Sequence, residues 1–251
     1  MSVRPILSVR GLSKSFGALQ AAQSVDLDLP AGARHALIGP NGAGKTTVVN
    51  LLTGMIRADA GTIRLDGAGI GGLNPEDRVR RGLARTHHIN TLLTETSVRD
   101  NVAIAVAERE RVAWRALRYR KEWQACLEEA DARLAEIGIL EVADRRVSEL
   151  SYGQQRLLEI ALALSLKPRV LLLDEPAAGV PAAEAHVIHE VLDRLPPEIA
   201  ILIIEHDMDV VFRFARHIVV MVQGRVLKRG APQEIAADPQ VRAVYLGRSA
   251  V

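Results

Sequence analysis

The sequence predicts an α/β fold in which helices cover a mostly parallel sheet, with an antiparallel β subdomain near the N-terminus. Two continuous apolar runs, 170–173 and 199–204, are typical of strands buried on both faces. Between them, helical periodicity places five apolar residues on one predicted face: Val187, Ile188, Val191, Leu192 and Leu195. A third apolar run, 35–38, precedes a glycine-rich loop and another helix-like segment. Strands that alternate with helices in this way indicate parallel βαβ units.

The antiparallel subdomain is predicted from the first part of the chain. Residues 24–29 alternate strictly between polar and apolar side chains, which is the pattern of a half-buried strand. Pro30 and Gly32 then favour a turn, and residues 62–67 add another short strand and turn. We therefore expect residues 5–38 to form short strands at the N-terminal edge of the fold.

The glycine-rich loop fits every fixed position of the pattern G-x-x-x-x-G-K-[ST]. It consists of Gly39, Pro40, Asn41, Gly42, Ala43, Gly44, Lys45, Thr46 and Thr47. Glycines allow several backbone N–H groups to converge on one anion, and the helix that follows adds its positive dipole end. Lys45 is expected to reach the β- and γ-phosphates, and the Thr46 hydroxyl to ligate Mg²⁺. The loop predicts a binding site for a nucleoside triphosphate.

Two strand ends carry candidate catalytic side chains. The run 170–173 ends in Asp174 and Glu175, and ligands of open α/β sheets lie at the carboxyl ends of strands. Asp174 is expected to hold Mg²⁺, directly or through water, and Glu175 to take a proton from the attacking water. His206 follows the run 199–204 and is a candidate donor to the γ-phosphate.

A second anion site is predicted far from the first in sequence. It consists of Ser151, Tyr152, Gly153 and Gln154. Ser151 is a good helix N-cap, and Gly153 permits close approach of a ligand to the backbone at a helix N-terminus. A protein that binds one nucleotide through one phosphate loop does not need a second anion site. The second site therefore favours a contact with a nucleotide across a dimer. The alternative is an ordinary capped helix, which has the same local pattern.

The segment between these two sites is predicted to be helical from about residue 90 to residue 148. One amphipathic face consists of Trp123, Leu127, Ala130, Leu134 and Ile137, and Gly138 is placed to end that helix. The stretch before it is basic and includes two aromatic residues: Arg109, Arg111, Arg115, Arg118, Arg120 and Lys121, with Trp114 and Tyr119. This stretch fits either a solvated helical face or a surface near anionic lipid headgroups or a partner protein.

Composition narrows the class of protein. The chain has 251 residues, 48% of them hydrophobic and only 3% aromatic, so we expect a large aliphatic core. A formal net charge of +2 argues against a nucleic-acid binder that acts through bulk electrostatics. The single cysteine, Cys126, is expected to be a packed residue in a reducing compartment. With no signal-peptide pattern and no span-length apolar run, the sequence predicts a cytoplasmic protein.

Over nearly its full length, the chain resembles the ATP-binding-cassette (ABC) ATPase subunits of membrane transporters. The stretch LSYGQ at 150–154 matches the signature loop of that family, and it lies between a Walker A loop at 39–46 and a Walker B strand at 170–175, in the family's order. The resemblance implies a single ABC ATPase domain, 1–251, with a P-loop NTPase core. The core with its β subdomain would comprise 5–89 and 167–230, a helical subdomain 90–166, and a C-terminal helical tail 231–251.

The resemblance also implies roles and partners. Phe16 would stack on adenine, Glu175 would be the catalytic base and His206 the switch histidine. Two ABC ATPase subunits, identical or different, would sandwich two ATP molecules, each between the Lys45 loop of one subunit and the Ser151 loop of the other. The helical subdomain, 90–166, would dock on transmembrane permease subunits at the cytoplasmic face of the inner membrane. A solute-binding protein would be an indirect partner, and nucleic acid would not be a partner.

Several short stretches look closest to importer subunits for branched-chain amino acids and related amides, urea or aromatic acids. They are 36–47, 84–86, 175–179, 205–208 and 245–247. Similar stretches occur in the ATPases of lipopolysaccharide export, so an ATPase of that transporter type is an alternative. The sequence also leaves open a soluble ABC protein that acts on nucleic acid or ribosomes, and an ATP-sensing module with impaired turnover.

Two positions depart from the family pattern. After 84–86 the family normally has Phe-Gln, whereas this chain has His87 and His88, so the glutamine that usually touches Mg²⁺ and water is missing. A neutral His88 can accept a metal or water contact and a protonated one is repelled by Mg²⁺, so activity is expected to fall steeply as the pH drops through the His88 titration range. Pro181 stands where the family has Asn or Asp, which removes a donor and an acceptor from the loop expected to face the other subunit.

Overall fold

The computed structural model describes residues 4–86, 92–112 and 120–246. Within these ranges the strands are β1 Leu7–Phe16, β2 Leu19–Leu29, β3 Arg34–Ile38, β4 Ala60–Leu65, β5 Ala68–Gly69, β6 Leu83–Arg85, β7 Val170–Asp174, β8 Ala200–Ile204, β9 His217–Val222 and β10 Arg225–Gly230. The helices are α1 Lys45–Thr53, α2 Pro75–Arg80, α3 Val98–Arg109, α4 Arg120–Ile137, α5 Tyr152–Ser165, α6 Ala182–Arg194, α7 Met208–Phe214, α8 Pro232–Ala237 and α9 Pro239–Leu246.

The first sheet is antiparallel, with the strand order β2-β1-β4-β5. Leu7 on β1 pairs with Leu29 on β2 and with Leu65 on β4. Burial alternates along β2 from Val25 to Leu29, which confirms the half-buried strand predicted there. The prediction of short strands was wrong for this region, because β1 and β2 have 10 and 11 residues. Register shifts between Val9 and Ser15 interrupt the β1–β2 ladder, and the two strands pair again beyond them, up to Phe16 and Leu19.

The second sheet has the order β10-β9-β3-β8-β7-β6 and confirms the predicted α/β core. Strand β3 runs parallel to both β8 and β9, and β7 runs parallel to β8, whereas β9 and β10 form an antiparallel pair. Asp174 lies opposite Ile204 across the β7–β8 ladder. The loops that follow β3, β7 and β8 therefore leave the same edge of the sheet, which is where ligands of such sheets bind.

The core around these two sheets is aliphatic, as the composition predicts. The buried cluster joins side chains of both sheets to one face of α1, including Leu7, Leu29, Val49, Leu172 and Leu202, and it contains no aromatic side chain among the described residues. Burying a side chain of this size contributes about 1.5–3 kcal/mol. Many such contacts hold α1, and with it the glycine-rich loop, against the sheet.

The chain divides into two compact units. The first consists of residues 1–83, 169–175 and 196–251 and contains the first sheet and most of the second, and the second unit consists of 84–168 and 176–195. In the second unit, helices α3, α4 and α5 pack on one another. The subdomain boundaries implied by the family resemblance stay a prediction.

Helix α4 follows the sequence prediction closely. It ends at Ile137, and Gly138 takes the left-handed conformation with φ 84°, which is typical of a residue that ends a helix. Ala130, Leu134 and Ile137 are buried, and Cys126 is buried as a free cysteine. No described helix combines the length and the apolar character that a membrane crossing requires.

Helix α5 begins at Tyr152, directly after its cap Ser151. Two other details differ from the sequence predictions. Periodicity places Val187 on the buried face of α6, but its side chain is 38% exposed, because the buried stripe begins at Ile188 and continues through Val191 and Leu192. Neither interpretation of the basic stretch fits Arg109, since its guanidinium is largely buried and pairs with Glu129 and Glu110.

Candidate functional site

The glycine-rich loop ends at the uncapped N-terminus of α1. Gly44 is the N-cap with φ 97°, and no side chain accepts a hydrogen bond from the first turn. A Cβ atom at Gly44 would clash with the carbonyl oxygen of Ala21, and one at Gly39 would clash with that of Met221. Glycine is therefore required at both positions by close backbone packing. The first N–H groups of α1 are left available for an anion.

Lys45 bends back over this loop. Its ammonium donates hydrogen bonds to the carbonyl oxygens of Gly39 at 2.7 Å and Pro40 at 3.2 Å. Burial lowers the pKa of Lys45, and the nearby carboxylates of Glu175 and Asp174 oppose that shift by favouring the charged form. The cation is thus held beside the anion-binding backbone, with the two carboxylates close enough to influence it.

A cavity of about 650 Å³ opens over the loop. Residues 41–47 of the loop and the start of α1 form one wall. The ends of β7 and β8 contribute Asp174, Glu175 and Ile204. The remaining lining residues come from the start of β2 with the residue before it, and from the turn before β10: Ala18, Leu19, Gln20, Ala21, Gln23 and Gln223. This volume falls within the range of pockets that bind small molecules and cofactors. The cavity joins the predicted phosphate loop to both predicted carboxylates.

Glu175 has an unusual backbone conformation. Its φ angle is 47°, a region that few residues other than glycine adopt, and its N–H donates to the carbonyl oxygen of Ile204 at 2.9 Å. Its Oε1 atom lies 3.4 Å from Nδ1 of His206. The structure therefore brings together Glu175 and His206, which the sequence placed after different strands.

The turn that carries His206 is organised by a buried carboxylate. Glu205 is only 3% exposed, and its Oε2 atom accepts the N–H of His206 at 3.1 Å. Burial raises the pKa of Glu205, whereas hydrogen bonds from the backbone of His206 and Asp207 oppose that shift. Asp207 caps α7 by accepting the N–H of Asp209. Glu205 was not identified from the sequence as part of the site, although an acidic residue after an entirely apolar strand was a usable signal.

Phe16 is not among the residues that line the cavity. It ends β1, its side chain is 49% exposed, and the Lys14 ammonium lies 5.6 Å from its ring centroid. Leu19 and Gln223 do line the cavity, and neither was identified from the sequence. Neither residue belongs to a recognisable sequence pattern. Leu19 reaches the cavity through the pairing of β1 with β2, and Gln223 through the turn before β10.

The second predicted anion site lies at the N-terminus of α5. Ser151 is the N-cap and Gln154 completes a capping box: the Gln154 N–H donates to Oγ of Ser151, and the Ser151 N–H donates to Oε1 of Gln154. The Ser151 hydroxyl and the Gly153 N–H both donate to Oε2 of Glu184, at 2.9 and 3.2 Å. An internal carboxylate therefore contacts the groups predicted to bind an anion.

Tyr152 and Arg156 connect α5 to the segment that precedes α6. The Arg156 guanidinium lies 5.1 Å from the Tyr152 ring centroid and donates to the Tyr152 hydroxyl at 3.0 Å. The same guanidinium pairs with Glu159 at 2.8 Å and reaches the carbonyl oxygen of Ala178 at 3.5 Å. Arg156 was not singled out from the sequence as a buried residue, because a basic residue in a helix is usually exposed.

Two further predictions concern Pro181 and the pair of histidines at 87 and 88. Pro181 is the N-cap of α6, and no side chain caps that helix, in agreement with the loss of an acceptor expected from the proline. His87 and His88 lie outside the described residues. The described residues contain no cluster of three or more histidine, cysteine, aspartate or glutamate side chains able to hold a metal by themselves.

Comparisons with known sequences agree with this geometry. A family model described as "ABC transporter" matches residues 22–178, and one described as "Branched-chain amino acid ATP-binding cassette transporter" matches 229–251. The high-affinity branched-chain amino acid transport ATP-binding protein BraF of Pseudomonas aeruginosa is 39% identical over 253 residues, covering 98% of this chain and 99% of the relative. The corresponding protein LivG of Escherichia coli K12 is 38% identical with the same coverage.

Solved structures give the same result. A crystal structure of the ADP conformation of an ATP-binding cassette of an ABC transporter matches with a TM-score of 0.84 and 31% identity, covering 97% of this chain and 99% of that chain. The structure of cbiO1 from Clostridium perfringens, part of the ABC transporter complex cbiONQ, matches with a TM-score of 0.78 and 26% identity, covering 98% and 97%. The chain therefore belongs to the ATP-binding-cassette transporter family and is one of its ATP-binding ATPases.

Proposed function

We propose that this chain is the ATP-hydrolysing subunit of an importer for branched-chain amino acids. The observation that carries the choice of solute is the match of residues 229–251 to the branched-chain family model. Those residues include α8 and α9, which lie outside the nucleotide cavity. The names of the relatives BraF and LivG agree with this choice. They do not favour lipopolysaccharide export, a role on nucleic acid or ribosomes, or ATP sensing without turnover.

The triphosphate of ATP would bind across the glycine-rich loop, 39–47. The N–H groups at the start of α1 would hold the β- and γ-phosphates, and Lys45 would exchange its hydrogen bonds to Gly39 and Pro40 for phosphate oxygens. The adenine would lie toward the part of the cavity that Leu19 lines, with Phe16 as the aromatic platform expected from the family resemblance.

The same cavity fits Mg²⁺ by the chemistry of its oxygen atoms. Thr46 provides a hydroxyl and Asp174 a carboxylate, both lining the cavity, and hard oxygen ligands of this kind suit Mg²⁺ when phosphate oxygens complete its shell. When bound, the ion neutralises charge on the phosphates. His88 is the third contributor expected from the sequence, and it lies outside the described residues.

Hydrolysis would use the pair at the ends of β7 and β8. Glu175, which lines the cavity, would accept a proton from the water that attacks the γ-phosphate. His206, beside Glu175, would donate a hydrogen bond to the γ-phosphate. Both side chains are partly exposed, so water can reach them.

A complete catalytic site would require two subunits. The second subunit's Ser151–Gln154 loop would contact the γ-phosphate through the Ser151 hydroxyl and the Gly153 N–H, and the pair of subunits would enclose two ATP molecules. The ATPase would act at the cytoplasmic face of the inner membrane, bound to permease subunits that receive the solute from a solute-binding protein. The second, mainly helical compact unit is the part expected to dock on the permease.

Two measurements test this proposal. Purified protein should release phosphate steadily from ATP, and Glu175→Gln should reduce that rate at least about 100-fold, whereas Glu141→Gln at an exposed position should not change it. Membrane vesicles that also contain its permease subunits and solute-binding protein should then take up leucine, isoleucine or valine with ATP. Uptake of urea, an amide or an aromatic acid in preference to leucine would overturn the choice of solute.

A further inference from the structure

The carboxylate of Glu184 occupies the second predicted anion site. Glu184 lies in the first turn of α6, and its Oε2 atom accepts hydrogen bonds from the Ser151 hydroxyl at 2.9 Å and from the Gly153 N–H at 3.2 Å. These are the donors through which the second subunit's loop is proposed to hold the γ-phosphate. One atom of this chain thus uses both donors at once.

The fit between Glu184 and this site is tight. A Cβ atom at Gly153 would clash with Oε2 of Glu184, so the carboxylate lies directly against the backbone at the start of α5. The segment before α6 is held to the same helix by two further contacts. Gly179 packs against the Tyr152 ring, and Arg156 reaches the carbonyl oxygen of Ala178. The position of Glu184 therefore follows from the packing of α6 and its preceding loop on α5.

A carboxylate imitates a phosphate at such a site. Both are anions that only accept hydrogen bonds, and both are stabilised by a hydroxyl, an N–H group and the positive end of a helix. The Ser151 hydroxyl and the Gly153 N–H cannot both donate fully to two anions at once. Two negative charges a few ångströms apart also repel each other. A phosphate reaches Ser151 and Gly153 only if the Glu184 carboxylate moves away.

We propose that Glu184 is a built-in competitor of the γ-phosphate, an autoinhibitory contact that keeps the Ser151–Gly153 site closed until ATP pairs two subunits. This inference rests on the proposed function, because it takes the ligand of that site to be the other subunit's ATP. Glu184 raises the ATP concentration needed for pairing. Since ADP has no γ-phosphate to compete for these donors, the contact also helps to keep the ADP-bound subunits apart.

The test uses the full chain with the Glu175→Gln substitution, which blocks hydrolysis and leaves ATP in place. Pairing is followed by light scattering after size-exclusion chromatography as ATP is increased. Adding Glu184→Gln removes the negative charge and keeps the shape of the side chain, so the ATP concentration for half-maximal pairing should fall about tenfold, as expected for the loss of one charge-assisted competitor. Glu190→Gln, on the exposed side of the same helix, is the matched control and should leave that concentration unchanged.

Each outcome decides a different question. If Glu175→Gln pairs with ATP but Glu184→Gln leaves the midpoint unchanged or raises it, the autoinhibitory contact is wrong and the proposed function stands. If Glu175→Gln binds ATP without pairing at any concentration, two copies of this chain do not enclose ATP and this inference is wrong, whereas the proposed function still allows a different ABC ATPase as the second subunit. Glu184→Asp provides a second variant should Glu184→Gln unfold: its shorter carboxylate retreats from the Ser151 hydroxyl, and the midpoint should again fall.

Discussion

The Oε1 atom of Glu175 lies 3.4 Å from Nδ1 of His206, and this proximity follows directly from strand register. Asp174 is paired with Ile204 across two parallel strands, so the residues just beyond each strand end emerge side by side. Buried Glu205 then fixes the turn by accepting the His206 N–H. The backbone at the two strand ends therefore brings Glu175 and His206 close together.

Replacing His206 is expected to slow hydrolysis while leaving ATP bound. Because His206 would contribute a hydrogen bond to the γ-phosphate that strengthens as charge develops, His206→Ala should lower kcat about 100-fold with little change in ATP affinity. Steady-state phosphate release and equilibrium binding of ATP measure the two effects separately. His186→Ala, at an exposed position on α6, should change neither. A large loss of affinity with an unchanged kcat would contradict this role.

Replacing Lys45 is expected to act on binding first. Its ammonium lies over the loop and would form charge-assisted hydrogen bonds with phosphate oxygens, so Lys45→Met should weaken ATP binding at least about tenfold. Isothermal titration calorimetry in the Glu175→Gln background measures this without turnover. Lys121→Met removes one positive charge from an exposed position and serves as the control. Equal affinity in both variants would show that Lys45 does not touch the triphosphate.

Local patterns made much of this site predictable. The loop 39–47, the cap at Ser151 and the carboxylates at 174 and 175 are encoded by residues adjacent in sequence, and their chemistry needs only the following helix or the preceding strand. Parallel pairing of β3, β7 and β8 was predictable for a similar reason, since buried strands separated by helices have few other arrangements. These features follow from short-range constraints on backbone and burial.

Other features depend on packing between distant segments and were not predictable. Glu184 contacts Ser151 only because α6 packs on α5, and nothing in the sequence around Glu184 marks it as an anion at that site. Leu19 and Gln223 meet at the cavity through strand pairing. Val187 illustrates the limit of periodicity, because a residue at the margin of an apolar stripe is exposed or buried according to the neighbour it faces.

Arg78 is expected to be important for stability. Its side chain is 2% exposed and donates to four carbonyl oxygens, those of Leu51, Leu52, Gly71 and Leu73. Two of these end α1, the helix whose other end forms the phosphate loop. Arg78→Met leaves buried carbonyl groups without a donor, so the free energy of unfolding in urea should fall by about 3 kcal/mol.

Arg80 offers the matched control for that measurement. It lies on the same short helix, its side chain is about half exposed, and it pairs with Asp77 at 3.4 Å. An exposed ion pair contributes little, so Arg80→Met should change the free energy of unfolding by less than about 0.5 kcal/mol. Similar losses in the two variants would mean that the bonds from Arg78 to α1 do not carry the effect.

His35 and His217 are expected to make the folded state sensitive to moderate acid. Their ring centroids lie 4.9 Å apart at the starts of β3 and β9, and burial together with the charge of His217 lowers the pKa of His35 to about 4. In the unfolded chain the same imidazole takes up a proton near its ordinary pKa of about 6.5. The unfolded state therefore binds more protons below pH 6.5, and the stability present above that pH is lost as the pH falls toward 4.

Urea unfolding between pH 7 and pH 5 measures this loss. The His35 contribution should reduce the free energy of unfolding by about 2 kcal/mol over that interval, and His35→Phe should remove this part of the slope because phenylalanine fills the same space without titrating. His186→Phe, which replaces an exposed histidine, should leave the slope unchanged. An equal slope in the parent and in His35→Phe would mean that His35 titrates alike in the folded and unfolded chains. The acid sensitivity would then have to arise from other groups that gain protons on unfolding.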